Sequence, residues 1–167
     1  CASGEEPYTL ALILLDHRPA LVEAGRVTIA AVDISARALA AARAGVWEAF
    51  SLRNTPPRLL EKHFVAEDGR FRLRTEQRAR MGTMVEFAAA NLLAERDMAR
   101  LAGMHVVFCC NVLPYFADEV KDRVIALLGG CLVPGGYLVV GQAELFGREP
   151  AGLLPIPVPG AVVYKKT

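Results

Sequence analysis

The sequence predicts an α/β fold, a parallel sheet covered by helices on both faces. Two observations predict it. Strand-like and helix-like segments alternate along most of the chain, as successive βαβ units require. At its start, the small-residue turn Cys1-Ala2-Ser3-Gly4 runs straight into the acidic, proline-started helix Glu5-Glu6-Pro7-Tyr8. Small residues let backbone pass close to a ligand, and Pro7 suits a first helical turn, where its missing N–H costs nothing. A ligand-cradling turn at a helix N-terminus is the usual layout of a nucleotide-like cofactor site in such folds.

The elements follow in order. A helix is predicted at about 6–16, with Leu10, Ala11, Ile13, Leu14 and Leu15 as its apolar face, then a buried strand at Val27–Asp33. Ser35 caps a helix at 36–44. Residues 45–63 read as short helical pieces around Pro56-Pro57. Asp68-Gly69 is a turn signal, and Phe71–Arg74 alternates apolar and basic residues as an exposed strand does. Met84–Ala88 reads as a strand closed by Asn91-Leu92-Leu93, and Met104–Cys109 as a core strand. Asp118 caps a helix to about Leu128, Pro134-Gly135-Gly136 makes a turn, and Tyr137–Gly141 is a strand. A proline-rich loop at 150–160 precedes the last strand, Ala161–Lys165. The stretch at about 53–80 breaks the alternation and reads as a small antiparallel β-subdomain inserted into one domain spanning 1–167. A doubly wound fold normally sets a strand before its ligand-binding turn. None precedes Cys1, so the first strand is expected upstream of it, and the chain is expected to be a piece of a longer polypeptide.

Bulk properties exclude several classes. At 53% hydrophobic residues the chain is too apolar for disorder. No apolar run approaches the ~18 residues of a membrane span, so no membrane insertion is expected. Four cysteines without C-x-x-C spacing, and no secretory leader pattern, suggest a reducing, cytoplasmic setting. Cys109 and Cys110 would point to opposite faces of a strand, against a mutual disulfide. His17, His63 and His105 lack metal-ligand spacing, and no metal is expected. The net charge of +1 argues against a nucleic-acid partner. Eight basic residues against four acids nevertheless give the segment 53–80 a local +4. Such a surface can steer an acidic partner, or be only a solvated face.

The opening turn has one glycine where a dinucleotide fingerprint needs three. Glu5 and Glu6 stand where a pyrophosphate would want bare amides, so they favour a cationic cofactor. S-adenosylmethionine, with sulfonium and ammonium groups, fits. The same acids could merely complement the helix dipole.

Five motifs stand in order: the octapeptide at 1–8, Val32-Asp33-Ile34-Ser35, Asn91-Leu92-Leu93, Phe108-Cys109-Cys110-Asn111-Val112 and Pro134-Gly135-Gly136-Tyr137-Leu138. Over nearly the whole chain they resemble the catalytic domain of CheR-type chemoreceptor glutamate methyltransferases. The resemblance implies a Rossmann-like class I S-adenosylmethionine-dependent methyltransferase sheet. It implies methyl ester formation on receptor glutamates in chemotaxis signalling, releasing S-adenosylhomocysteine. The partner it implies is the cytoplasmic helical region of methyl-accepting chemotaxis proteins. By the same resemblance, Glu6, Asp33, Asn91, Leu92, Asn111 and Val112 match cofactor-binding positions, with Asp33 facing the ribose. Asn111 lies near the methyl donor and Tyr115 near the substrate carboxylate, which makes these two the catalytic candidates. For Asp33 the other reading is a helix-capping acid, and for Tyr115 a core aromatic beside Phe116. Cys110 replaces the Arg, and Pro114 the aliphatic residue, of most family members. The family's N-terminal helical domain is absent from the sequence, so activity is expected to need it. The short Phe64–Phe71 connection lacks the longer loop of members that grip a receptor's C-terminal peptide, which predicts tail-independent recognition. Two other readings remain open: a cofactor-binding sensor or scaffold without catalysis, and a class I methyltransferase acting on another substrate.

Overall fold

The structure, a computed structural model, describes residues 1–141, 144 and 150–167. The chain divides into two compact units, Cys1–Ala89 and Ala90–Thr167.

In the first unit, α1 (Glu5–His17) starts at Gly4, whose φ of 90° only glycine adopts readily. Tyr8, Ala11 and Leu15 form its buried stripe at helical spacing. The short α2 (Pro19–Glu23) leads to β1 (Ile29–Asp33). Next comes α3 (Ala36–Ala44), where Ser35 Oγ accepts from the Ala38 amide at 3.2 Å and Gly45 closes the helix at φ 63°. Both ends agree with the sequence prediction.

Beyond α3 the expected helical pieces give way to a strand. β2 (Val46–Glu48) pairs antiparallel with β4 (Arg70–Leu73), and β3 (Phe64–Glu67) pairs with β4 on its other side. A strand of three residues is too short to declare a period. Between them lie a 3-10 turn at Ala49–Leu52 and α4 (Pro57–His63), short helical pieces of the kind expected around Pro56-Pro57. Asp68 and Gly69 turn the β3–β4 hairpin at φ 49° and 74°, the left-handed pair that suits right-twisted strands. α5 (Thr75–Gly82) then returns the chain to β5 (Val85–Ala89), which runs parallel to β1 with Asp33 opposite Ala89.

The core of this unit gathers Tyr8, Ala11, Leu15, Ala31, Trp47, Phe64, Leu73, Met81, Met84 and Val85. Trp47 is its hinge pin. Tyr8 and Phe64 meet it edge-on, with ring centroids 5.2 and 6.0 Å away, and each such pair adds about 0.5–1.5 kcal/mol beyond area burial.

The second unit contains α6 (Glu95–Ala99), β6 (Met104–Cys109), α7 (Asp118–Cys131), β7 (Leu132–Val140), β8 (Leu153–Val158) and β9 (Ala161–Lys166). Its strand order is β6-β7-β9-β8, with β6 and β7 parallel and the β8–β9 hairpin antiparallel. In place of a wholly parallel sheet, the described residues thus form a parallel β1–β5 pair, an antiparallel β2-β4-β3 sheet and a mixed β6-β7-β9-β8 sheet.

Three boundaries differ from expectation. α7 runs past Leu128 to Cys131, and Ala117 precedes it with no side-chain cap, so Asp118 acts in the first turn on the helix dipole. Pro134-Gly135-Gly136 lies inside β7, where the ladder shifts register between Met104 and Val106. A Cβ on Gly136 would sit 2.9 Å from Val133 O and 3.1 Å from His105 O, so the bulge requires glycine. Finally, much of the stretch read as a proline-rich loop is β8, an edge strand carrying Pro155 and Pro157, a sheet position that tolerates them. The predicted strand at Tyr137–Gly141 forms the second half of β7.

Candidate cofactor site

Both parallel pairs place candidate residues at or just beyond their carboxyl ends, where open α/β sheets bind ligands. In the first unit the Cys1–Gly4 turn closes with a 2.8 Å bond from Gly4 N to Cys1 O. A Cβ on Gly4 would lie 3.0 Å from Ala42 Cβ on α3 and 3.2 Å from the Tyr8 ring, so the close approach needs glycine. Trp47 Nε1 donates to Ser3 O at 3.0 Å, which hangs the turn on the core.

Asp33 ends β1 and clamps this turn. Its Oδ2 accepts from Ala2 N at 2.9 Å, and its Oδ1 from Ser35 N at 2.9 Å. The backbone nitrogen of Cys1 donates to Val32 O at 2.9 Å and also approaches Asp33 Oδ2. Burial pushes the carboxyl up, while the hydrogen bonds from the Ser35 and Ala2 amides draw it down, and its pKa lies below the usual value. The two sequence readings of Asp33 are thus not exclusive. It takes the Ser35 amide at the helix entry, and its Oδ1 keeps a further lone pair for a hydroxyl.

Glu5 and Glu6 divide their work. Glu5 accepts from Ser3 Oγ at 2.8 Å and from Ser51 Oγ at 3.0 Å, tying the turn to the 3-10 turn after β2. The Glu6 side chain is exposed, and both acids sit in the first turn of α1, where they also complement the dipole.

In the second unit, Asn91 and Leu92 open the loop before α6. Asn91 Oδ1 accepts from Leu93 N at 3.0 Å, and Asp97 Oδ2 takes the Asn91 amide at 3.0 Å. This Asx turn uses the carbonyl side of the carboxamide and leaves its N–H₂ to face outward chemistry. Leu92 is half-buried against the second core. Asp97 was not anticipated; with Ala at 94, the usual Ser or Thr that announces a capping box is missing.

Past β6, Asn111 is exposed and held at φ 60°, a left-handed conformation that asparagine tolerates. Val112 N donates to Glu144 Oε1 at 2.8 Å. Glu144 escaped the sequence prediction, because a lone acid in a loop carries no spacing signal. Leu113 is fully buried and anchors a 3-10 turn at Leu113–Tyr115, in which Pro114 fits an opening position. Tyr115 is 87% exposed, while Phe116 packs on the core. The core-aromatic reading therefore belongs to Phe116 alone. Cys110 Sγ lies 3.9 Å from Val139 O, and no disulfide joins the described cysteines. Among the described residues no cluster of three metal-ligating side chains occurs, and no helix is long and apolar enough to cross a membrane.

Glu6 and Asp33 thus belong to the first unit, and Asn91, Leu92, Asn111, Val112 and Tyr115 to the second. The family model "CheR methyltransferase, SAM binding domain" matches residues 1–156. Over 170 residues the chain is 35% identical to "Chemotaxis protein methyltransferase 1" of Pseudomonas aeruginosa, covering 99% of this chain and 60% of that protein. It is 36% identical over 149 residues to "Chemotaxis protein methyltransferase 2" of Vibrio cholerae, covering 89% of this chain and 50% of that one. A "probable biofilm formation methyltransferase WspC" of Pseudomonas aeruginosa is 32% identical over 167 residues, covering all of this chain and 38% of that protein. The chain therefore spans 60% or less of the length of these relatives. In structure it is similar to the rRNA methyltransferase aviRa of Streptomyces viridochromogenes, with a TM-score of 0.55 over 99% of this chain and 73% of that one. At 14% identity that likeness is one of fold, the class I methyltransferase fold. On the family match, the agreement with these relatives and the architecture together, the chain belongs to the CheR methyltransferase family, as its S-adenosylmethionine-binding domain.

Proposed function

We propose that this chain carries S-adenosylmethionine-dependent esterification of glutamate side chains on the cytoplasmic helical region of chemotaxis receptors. The observation that carries the reading is found at two strand ends: an ionised Asp33 fixed at the end of β1, and exposed Asn111 and Tyr115 in the turn after β6. The donor set fits the cofactor. Glu6 and Asp33 offer anionic acceptors, one for a cationic group and one for vicinal hydroxyls. Asn91 offers the N–H₂ of its carboxamide to a base edge, with Leu92 beside it, and Asn111 and Val112 flank the reacting end. When bound, S-adenosylmethionine supplies a methyl group on a cationic sulfur.

The remaining chemistry asks little of the protein. A receptor glutamate is ionised at neutral pH and is itself the nucleophile, so no general base is required. With the cofactor held by Glu6, Asp33, Asn91 and Asn111, an oxygen of that carboxylate would receive its methyl group, and the carbon–sulfur electron pair would remain on sulfur. Tyr115, held by buried Leu113, orients the incoming carboxylate through its hydroxyl. Proximity and orientation of both reactants together can supply about 7–11 kcal/mol of barrier reduction, of which one hydroxyl provides a part. The test is transfer of labelled methyl to purified receptor by the protein and by its Tyr115→Phe variant. Base-labile labelling that falls in the variant, with cofactor affinity kept, supports the assignment. Cofactor binding with no transfer to any receptor would favour the sensor reading instead.

A further inference from the structure

A carboxylate outside the predicted set governs the turn after β6. Glu144 is only 7% exposed, and each of its oxygens takes a backbone amide: Oε1 from Val112 at 2.8 Å and Oε2 from Gly141 at 2.9 Å. The two amides lie just past the ends of β6 and β7, which pair in register through Cys109 and Val140. Backbone donors beyond the last rung of a ladder need some partner when shielded from water. A single carboxylate serving both is a charge-assisted splint across the strand ends.

The splint bears directly on Asn111. The Val112 N–H belongs to the peptide plane that joins residues 111 and 112. Aiming it at Glu144 fixes that plane, and with it the left-handed backbone from which the Asn111 side chain leaves. Gly141 is matched to the same task. A Cβ there would fall 2.9 Å from Glu144 Cδ and 3.1 Å from Oε2, so any larger residue displaces the carboxylate. Burying a charge is costly unless it is well bonded, and here the bonds go to two turns rather than to the apolar core.

We infer that Glu144 is a positioning residue, whose carboxylate holds the Asn111–Val112 peptide in its cofactor-binding conformation. The inference rests on the assignment of Asn111 and Val112 to the cofactor. The alternative is a staple joining β6 to β7, which would change stability but not the affinity of folded protein.

The test compares S-adenosylhomocysteine affinity by calorimetry in the protein and in Glu144→Gln, Gly141→Ala, Asn111→Ala and the Glu144→Gln/Asn111→Ala double variant. Glutamine keeps the shape but has one acceptor and two donor hydrogens, so one amide then faces a donor. Glu144→Gln and Gly141→Ala should each weaken binding about tenfold or more, and Glu144→Gln should add little once Asn111 is truncated. The KM for S-adenosylmethionine should rise in both single variants more than kcat falls. Unchanged affinity in folded Glu144→Gln, or in Gly141→Ala should the former fail to fold, overturns the inference. So do fully additive losses in the double variant. Wild-type affinity in Asn111→Ala would instead overturn the assignment of the site itself.

Discussion

The turn at the end of β1 and the turn after β6 solve one problem in two ways. Each follows a parallel strand, and each has its backbone amides held by a carboxylate. At β1 the carboxylate is Asp33, the strand's own last residue, which reaches Ser35 two positions on and the amide of Ala2. At β6 it is Glu144, which takes the amide of Gly141 three positions back and that of Val112, 32 residues back. Asp33 likewise spans 31 residues to Ala2, so each acid joins one near amide to one distant one at a similar loop-closure cost. What differs is what sets the acid in place: Asp33 belongs to a strand paired in register with β5, and Glu144 to a turn past the end of β7. The first clamp should therefore be the more robust to changes nearby, and the second more readily tuned.

Substitutions can break or sharpen this contrast. The largest effect belongs to Trp47→Ala, which removes the ring linking Tyr8 and Phe64 and the bond that hangs the first turn on its core. Truncating a buried tryptophan costs about 3–5 kcal/mol, seen as a drop in thermal midpoint and faster amide exchange in residues 1–89. Full stability in this variant would mean that the turn does not depend on the core beneath it. Asp33→Asn should weaken S-adenosylhomocysteine binding by about tenfold, the loss of roughly one charge-assisted hydrogen bond. Calorimetry giving unchanged affinity would reduce Asp33 to a clamp alone.

Smaller effects refine the picture. Ser35→Ala removes the α3 cap and should cost about 1 kcal/mol, read in denaturant midpoints. Cofactor affinity should stay the same, since Asp33 keeps the Ser35 backbone amide. The gentlest probe is acid. Asp33 and Asp16 both have lowered pKa values, Asp16 through its bond to Lys62, against the effect of burial and helped by His63. A depressed acid stabilises the fold above its unfolded pKa, about 4, and loses that contribution as pH falls through the lower folded value. Fluorescence of Trp47, the only tryptophan, should therefore report a first unit stable from neutral pH to about 4 and weakening below. A decline already beginning near pH 6 would contradict it.

What the sequence revealed divides between signals carried by neighbouring residues and structure made only by distant pairing. α3 was legible at both ends, because Ser35 and Gly45 act within one turn of themselves. Asp33, Asn91 and Asn111 were legible as candidates because they stand at strand ends within recognisable motifs. β2 was not, since three residues gain their strand character only from pairing with β4. β8 was hidden by prolines that usually mark loops and are tolerated here because the strand is an edge. Glu144 was hidden most completely, as its partners are backbone amides, which no side-chain pattern announces. The exposed Tyr115 was ambiguous until Phe116 was seen to take the core position beside it.

Those prolines in β8 have a further effect. Pairing by an incoming β-chain depends on a run of donors along the outermost strand, and Pro155 and Pro157 interrupt that run in a segment otherwise rich in leucine, isoleucine and valine. They act as gatekeepers against cross-β stacking, and Pro155→Thr together with Pro157→Thr should make the protein more prone to fibre formation while leaving its chemistry intact.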